Sequence, residues 1–469
     1  MSKTLRMLVM TAALFVPARA WAHALLKRSE PAAGSQLAGP PKVIRLWFSE
    51  QPELSMTFAS LKDSAGKTFD LSSAERDTSG QMGISFRVSS ALPPGRYTLF
   101  WRTSASDGHP SSGKFTFVVL AGLTQASGLA PPPRGAQVGS TAGALSTGAT
   151  AVPRKETPVD AQDVDAASSI GNSIARAFLF LGLLALIGAV SFKLLVLRGA
   201  RTVPVELRGR MSQRAATLGM ISAVVVIVVA LLRLKLESQM MAAMPDMPGM
   251  KGMDARGMVM QTDWGFAFRI QLAAALAALL GFALAARRVR GGWFVATASA
   301  LILAITPALG GHAAASPRFT SLMIAADWLH VLGGATWLGS LLCVIAIGVP
   351  IALTLELENR WGSIASLVNA FSPLALASAG VVVASGVFSS WIRLEHLSAL
   401  WQTTYGKTLV VKLLLVAITF GIGAYNFKRV QPQLVTEIGA LRLRKSAAAE
   451  LAVGFMILLV TGLLTGVSP

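Results

Sequence analysis

The sequence predicts a two-part protein: an N-terminal all-β sandwich, then an all-α polytopic membrane domain of about eight transmembrane helices. Three observations carry this reading. To about residue 120, short alternating apolar runs are separated by turn formers. From Ile170 onward, long apolar runs are broken by short polar stretches. The chain as a whole is 53% hydrophobic and only 14% charged, where a soluble protein of this size carries roughly 25% charge.

Residues 1–22 have the form of a secretory signal. Lys3 and Arg6 precede an apolar run from Met7 to Val16, and Ala20-Trp21-Ala22 supplies the small-residue cleavage pattern. Cleavage after Ala22 begins the mature chain at His23. A histidine with a free α-amine can close a chelate on one metal ion through that amine and its ring Nδ1.

Residues 23–120 are expected to form the sandwich. Alternating runs lie at Val43 to Phe48, Thr57 to Leu61, Ile84 to Val88, Tyr97 to Arg102 and Lys114 to Val119. Pro40-Pro41, Asp63 to Gly66, Ser79-Gly80, Pro93-Pro94-Gly95 and Asp107-Gly108 punctuate them. Short strands at this spacing build small antiparallel sandwiches. About 100 residues support a modest core without a disulfide, and the lone cysteine, Cys343, excludes one within the chain. Residues 121–168 are rich in Ala, Gly, Ser, Thr and Pro without apolar periodicity, the composition of a flexible tether.

Residues 169–469 form the membrane domain. Eight runs approach or exceed the ~20 residues a spanning helix needs: 170–197, 216–232, 264–286, 293–310, 322–353, 367–392, 408–427 and 447–466. An exported first domain makes the first span enter from outside. The positive-inside rule gives the same topology. Arg198, Arg201, Arg208, Arg210 and Arg214 fall in the first inner loop, Arg287, Arg288 and Arg290 in the second, and Lys428, Arg429, Arg442, Arg444 and Lys445 in the fourth. The net charge of +19 is most simply read as Lys and Arg of inner loops lying between apolar spans, so no nucleic-acid partner is expected.

Metal-ligating side chains are few. Of five histidines, His23 and His109 belong to the exported part, and His312, His330 and His396 fall at or near outer ends of spans. His23, Asp107 and His109 offer two ring nitrogens, an amine and a carboxylate oxygen, an N,O set suited to Cu(II). Asp107 and His109, two apart, project to one side of an extended segment. The plain alternative is a D-G turn beside a surface histidine. Asp327 and His330, three apart, share a helix face, and ionisable groups in spans default to functional candidates. With His312 on the preceding hairpin they make a candidate entry site; the alternative is that Asp327 and Trp328 only mark the membrane interface. Met241, Met244, Met247, Met250 and Met253 recur every three residues in the outer loop between the second and third spans, with Met240, Met258 and Met260 beside them. Thioethers select Cu(I), and the interleaved Pro245, Pro248, Gly249 and Gly252 disfavour a buried helix. The alternative is a loop of biased composition.

Residues 23–120 resemble the periplasmic copper-binding CopC family. The resemblance rests on His23-Ala24, Ser29-x-Pro31-x-x-Gly34, Leu46-x-Phe48-Ser49-Glu50, Gly95-x-Tyr97-x-x-x-Trp101-Arg102 and Ser106-Asp107-Gly108-His109-Pro110-x-x-Gly113-x-Phe115-x-Phe117. It implies a cupredoxin-like or immunoglobulin-like sandwich with a Cu(II) site of His23, Asp107 and His109. With only Met56 and Met82 in this part, it carries no methionine-rich second site. The membrane part resembles the CopD family through Gly311-His312-Ala313, Asp327-x-x-His330-Val331-x-Gly333-Gly334-x-x-Trp337-x-Gly339, Phe371-Ser372, Ser385-Gly386, Gly406-Lys407-x-Leu409, Lys412 and Asn426. The tandem is similar to a CopC–CopD fusion. Such a protein is expected in a bacterial inner membrane with its first domain in the periplasm, moving copper inward. Copper ions, the bilayer, periplasmic copper donors and a reductase are the implied partners. Trp337 and its glycines read as packing devices.

No CxxC, P-loop, H-E-x-x-H or nucleophile elbow occurs, and no inner loop can hold a phosphorylated pump domain. The chain is therefore expected not to be an enzyme. Two other functions compete with transport: periplasmic sequestration for copper tolerance, and a copper- or haem-dependent membrane redox enzyme.

Overall fold

The computed structural model describes residues 26–77, 82–104, 110–121, 166–242, 255–311, 313–314, 319–394, 396–434 and 436–466. The expected signal (1–22) and nearly all of the expected tether lie outside these residues.

All five runs read from alternation are strands. On β3 (Val43–Phe48) every second residue turns inward, leaving Ile44, Leu46 and Phe48 buried. Each such side chain contributes about 1.5–3 kcal/mol on burial. The others are β4 (Phe58–Asp63), β7 (Gly83–Arg87), β8 (Gly95–Ser104) and β9 (Pro110–Val119). Four shorter strands complete the domain: β1 (Leu26–Glu30), β2 (Gln36–Leu37), β5 (Thr68–Phe69) and β6 (Glu75–Arg76). One sheet runs β1-β3-β7-β6 and the other β2-β9-β8-β4-β5. Their inner faces meet in a core where Trp101 packs edge-on against Phe48 at 5.3 Å and Tyr97 stacks on Phe117 at 5.7 Å. The Tyr97 hydroxyl donates to Pro93 O at 2.6 Å, so the buried phenol keeps a partner.

One end of this sandwich holds both Leu26, where the described chain begins, and the Ser104↔Pro110 end of β8 and β9. β8 and β9 pair from Gly95↔Val119 to Ser104↔Pro110, so the Asp107–His109 segment joins their far tips. At the opposite chain end, Leu26 pairs with Phe48, which packs on Trp101 three residues before Ser104. His23 itself lies outside the described residues. It is three residues from Leu26, within roughly 10 Å of extended chain.

Among the described residues, eight helices are long and apolar enough to cross a membrane: α1 (Gly171–Gly199), α2 (Val205–Gln239), α3 (Asp263–Ala286), α4 (Gly292–Leu309), α5 (Thr320–Ala352), α6 (Asn359–Arg393), α7 (Thr404–Gln433) and α8 (Leu441–Leu464). Two expected boundaries move. α2 begins 11 residues before the expected Ala216, and α6 begins 8 before Leu367. Hydropathy marks only the apolar stretch, whereas arginine is a good helix former, so Arg208, Arg210 and Arg214 ride on α2. Close approach is achieved with small residues. α1 and α5 cross at Gly188 and Gly339, where a Cβ on Gly339 would lie 2.1 Å from Leu184 O and 2.8 Å from Gly188 Cα. α6 leans on α5 and α7 on α8, so α6 and α7 part along much of their length. Apolar side chains such as Leu376 face outward on α6, as a lipid-facing surface requires.

Candidate functional site

All eight helices contribute to one cavity of about 800 Å³. It is lined mostly by apolar side chains and lies toward the helix ends opposite the Arg287–Arg290 turn. Its polar groups include Asp327 and His330 from α5, Ser389 and Arg393 from α6, Tyr405 and Lys412 from α7, and Arg176 and Arg233 from α1 and α2.

The centre of this group is an α5–α6 contact. Asp327 and His330 are three apart on α5, as their spacing implies. Ser385, Ser389 and Arg393 recur every four residues on α6, so they form one face. Asp327 Oδ2 accepts from Arg393 Nη2 at 2.9 Å, and its Oδ1 accepts from Ser389 Oγ at 3.1 Å. His330 Nδ1 lies 3.1 Å from Ser385 Oγ. That hydroxyl donates its single hydrogen to Val381 O at 2.6 Å. Ser385 therefore accepts from the ring, Nδ1 carries the hydrogen, and the Nε2 lone pair is left for a ligand. Gly386 gives the ring its berth: a Cβ there would meet His330 Cε1 at 3.4 Å.

The predicted ligands fare differently. Asp327 and His330 share the cavity, but Asp327 is already ion-paired with Arg393. His396 also lines the cavity and is exposed. His312 lies outside the described residues; its neighbour Gly311 lines the cavity. His23, Asp107 and His109 lie outside as well, as do Met244, Met247, Met250 and Met253. Met241 falls in the last turn of the Val205–Ala242 helix. Met258 departs from the expected ligand loop: a short helix, Ala255–Gln261, buries it against Trp264 and Phe268. Met260 Sδ accepts from Arg269 Nη1 at 3.3 Å. Among the described residues, no three His, Cys, Asp or Glu side chains gather as a ligand group.

Sequence reasoning missed Arg393, Ser389 and Glu450. Trp337 does pack, against Phe420 at 5.2 Å. It also donates from Nε1 to the buried Glu450 Oε1 at 3.1 Å. A carboxylate within the last apolar run was the available signal.

The sandwich meets the membrane domain at the cavity end. Glu53 Oε2 accepts from the backbone N–H of Asp263, the first residue of α3, at 3.1 Å. The unpaired amides of a helix start offset part of the cost of an anion there. Glu53 N in turn donates to Ser104 O at 2.8 Å, beside the β8–β9 tip. Burial pushes the Glu53 carboxyl above its ordinary range, and the neighbouring Asp263 carboxylate adds to this.

The fold and site define a multi-pass membrane protein that sets a β-sandwich at the mouth of an imidazole-bearing cavity. Comparison with known proteins specifies it further. Residues 26–120 match the CopC domain, 166–317 the copper resistance protein D-like N-terminal domain, and 365–464 copper resistance protein D. The copper transport protein CutJ of Bacillus subtilis (strain 168) is 25% identical over 462 residues, 96% of this chain and 75% of that protein. Copper resistance protein C of Escherichia coli is 36% identical over 106 residues, 21% of this chain and 83% of that protein. The crystal structure of CopC from Methylosinus trichosporium OB3b shares 28% identity over 21% of this chain and 94% of that one, with a TM-score of 0.20. The chain belongs to the copper resistance and transport proteins that fuse a CopC domain to a CopD domain. Asp327 and His330 fall between the two membrane-domain matches, whereas Ser385, Ser389, Arg393 and Lys412 fall within the second.

Proposed function

We propose that this chain carries copper inward across a bacterial inner membrane, with copper as cargo. Its sandwich takes up Cu(II) in the periplasm through His23, Asp107 and His109 and delivers the ion to the cavity. The methionine loop Met241–Met253 favours Cu(I), so a reductant acts between the two sites. The observation that carries this reading is His330: Ser385 fixes its tautomer so that Nε2 is free at the head of a cavity on the sandwich side. A tether between the two parts keeps donor and acceptor at high local concentration without a large docking surface.

The donor chemistry of the cavity supports selectivity for copper. The imidazole of His330 binds copper strongly, whereas Na⁺ and Ca²⁺ favour oxygen donors.

Cellular copper content tests the direction. Deletion of the gene lowers cell copper if the chain imports it. Unchanged content together with heightened copper sensitivity would replace import by sequestration.

A further inference from the structure

Glu450 is a buried carboxyl within α8, away from the ligands discussed so far. Its Oε1 accepts from Trp337 Nε1 and its Oε2 from Asn426 Nδ2, both at 3.1 Å. The oxygen of that amide, Asn426 Oδ1, is buried and without a partner among the described residues. Both protonation states therefore have a partner in place. An ionised Glu450 accepts from Nδ2. A protonated one, after a half-turn of the amide, donates its hydrogen to Oδ1. Each state leaves one amide atom unpaired, Oδ1 when Glu450 is ionised and Nδ2 when it is protonated, so the amide favours neither on that count.

The surroundings suit a group that changes charge. No cation pairs with Glu450 among the described residues; Trp337, Asn426 and Gly423 meet it from α5 and α7. On α8 itself Lys445 is roughly 7 Å inward along the axis. Lys428 and Arg429 follow Asn426 on α7 toward the same end. Arg176 of α1, the helix also packed on α8, sits beside Gly466, roughly 24 Å outward. Both hydrogen-bond donors to Glu450 belong to π-helical turns, Ala335–Gly339 and Asn426–Val430. Such turns are rare and concentrate at functional sites. The first follows directly on the helical segment carrying His330, and Trp337 itself lines the cavity. One indole therefore separates the cavity beyond His330 from Glu450.

We infer that Glu450 is a proton-binding site that couples copper passage to the proton gradient. This rests on the transport reading above. A copper ion in the cavity beside Trp337 and the proton on Glu450 lie on either side of one indole, and their like charges disfavour each other at this depth. Copper arriving from the cavity displaces the proton outward, and a proton rebinds when copper leaves inward. The exchange is one positive charge for one, with no bond formed or broken beyond Glu450 O–H.

Full-length protein in proteoliposomes, with chelator-buffered Cu(I) outside, tests this. With the lumen more acidic by one pH unit, one-for-one exchange gives about tenfold accumulation of copper inside, since each tenfold ratio is one unit of the opposing gradient. A trapped pH dye then reads lumen alkalinisation in step with entry. Glu450→Gln equilibrates copper without accumulating it. A protonated-carboxyl infrared band in wild type, lost in Glu450→Gln and bleached by Cu(I), identifies the group directly, whether or not the variant transports. Copper entry that ignores the pH gradient, or an infrared band unmoved by Cu(I), overturns the inference while leaving transport intact. No copper entry by wild type under any gradient overturns both.

Discussion

Ser385 never touches the cargo in this account, yet its removal weakens copper binding. Its hydroxyl holds His330 Nδ1 at 3.1 Å while its own hydrogen is spent on Val381 O. Ser385→Ala frees the ring to rotate and to move its hydrogen to Nε2, the nitrogen a metal needs. A neutral hydrogen bond of this length contributes about 1 kcal/mol. Partners that orient a metal-bound histidine affect affinity by roughly 10–100-fold. For one neutral hydroxyl the lower figure applies, about tenfold or 1.4 kcal/mol. The assay is competition for Cu(I) between a chelator and the purified full-length chain in detergent, with the methionine loop replaced by serines to isolate the cavity. His330→Ala sets the ceiling of the effect, and Ser385→Ala adds nothing on that background. An unchanged affinity, or an equal loss with and without His330, would refute the assigned tautomer.

Three further outcomes follow from the geometry. Gly386→Val replaces 3.4 Å of clearance with a branched side chain, pushes the His330 ring aside, and lowers cavity affinity at least as much as Ser385→Ala; thermal unfolding monitors the helix packing separately. Arg393→Leu leaves the half-buried Asp327 carboxylate without its 2.9 Å partner and destabilises by about 2–3 kcal/mol, below the 3–5 of a fully buried pair; adding Asp327→Leu restores most of it in a double-mutant cycle. The Glu53 contact depends on pH. Because burial and Asp263 raise the docked carboxyl above its ordinary 4.5, the docked state holds the proton more tightly. Docking is therefore strongest below 4.5 and weakens as pH rises through the raised value. Spin-label distances between the sandwich and the outer end of α3 check this, and Glu53→Gln flattens the profile.

The strands legible in the sequence were those with one buried face. β3 alternates without exception, whereas β1 shows no alternation and β2, β5 and β6 have two residues each. Spans were legible as apolar stretches, but helix ends carrying arginine were not, since hydropathy does not register helix propensity. The α5 half of the site was local: Asp327 and His330 reveal themselves by spacing. Its α6 half was not, because Arg393 is 66 residues from Asp327 and Ser385 is 55 from His330. Glu450 is 113 residues from Trp337. Nothing in spacing joins such residues; only the packing of α5 against α6 and α8 does.

The central claim is inward copper movement through the cavity that His330 heads. It is tested most directly by the initial rate of copper entry into proteoliposomes carrying the full-length chain with its sandwich outward. The account expects entry well above protein-free vesicles, reduced at least tenfold in His330→Ala with folding unchanged. Equal rates for wild type and His330→Ala would contradict it.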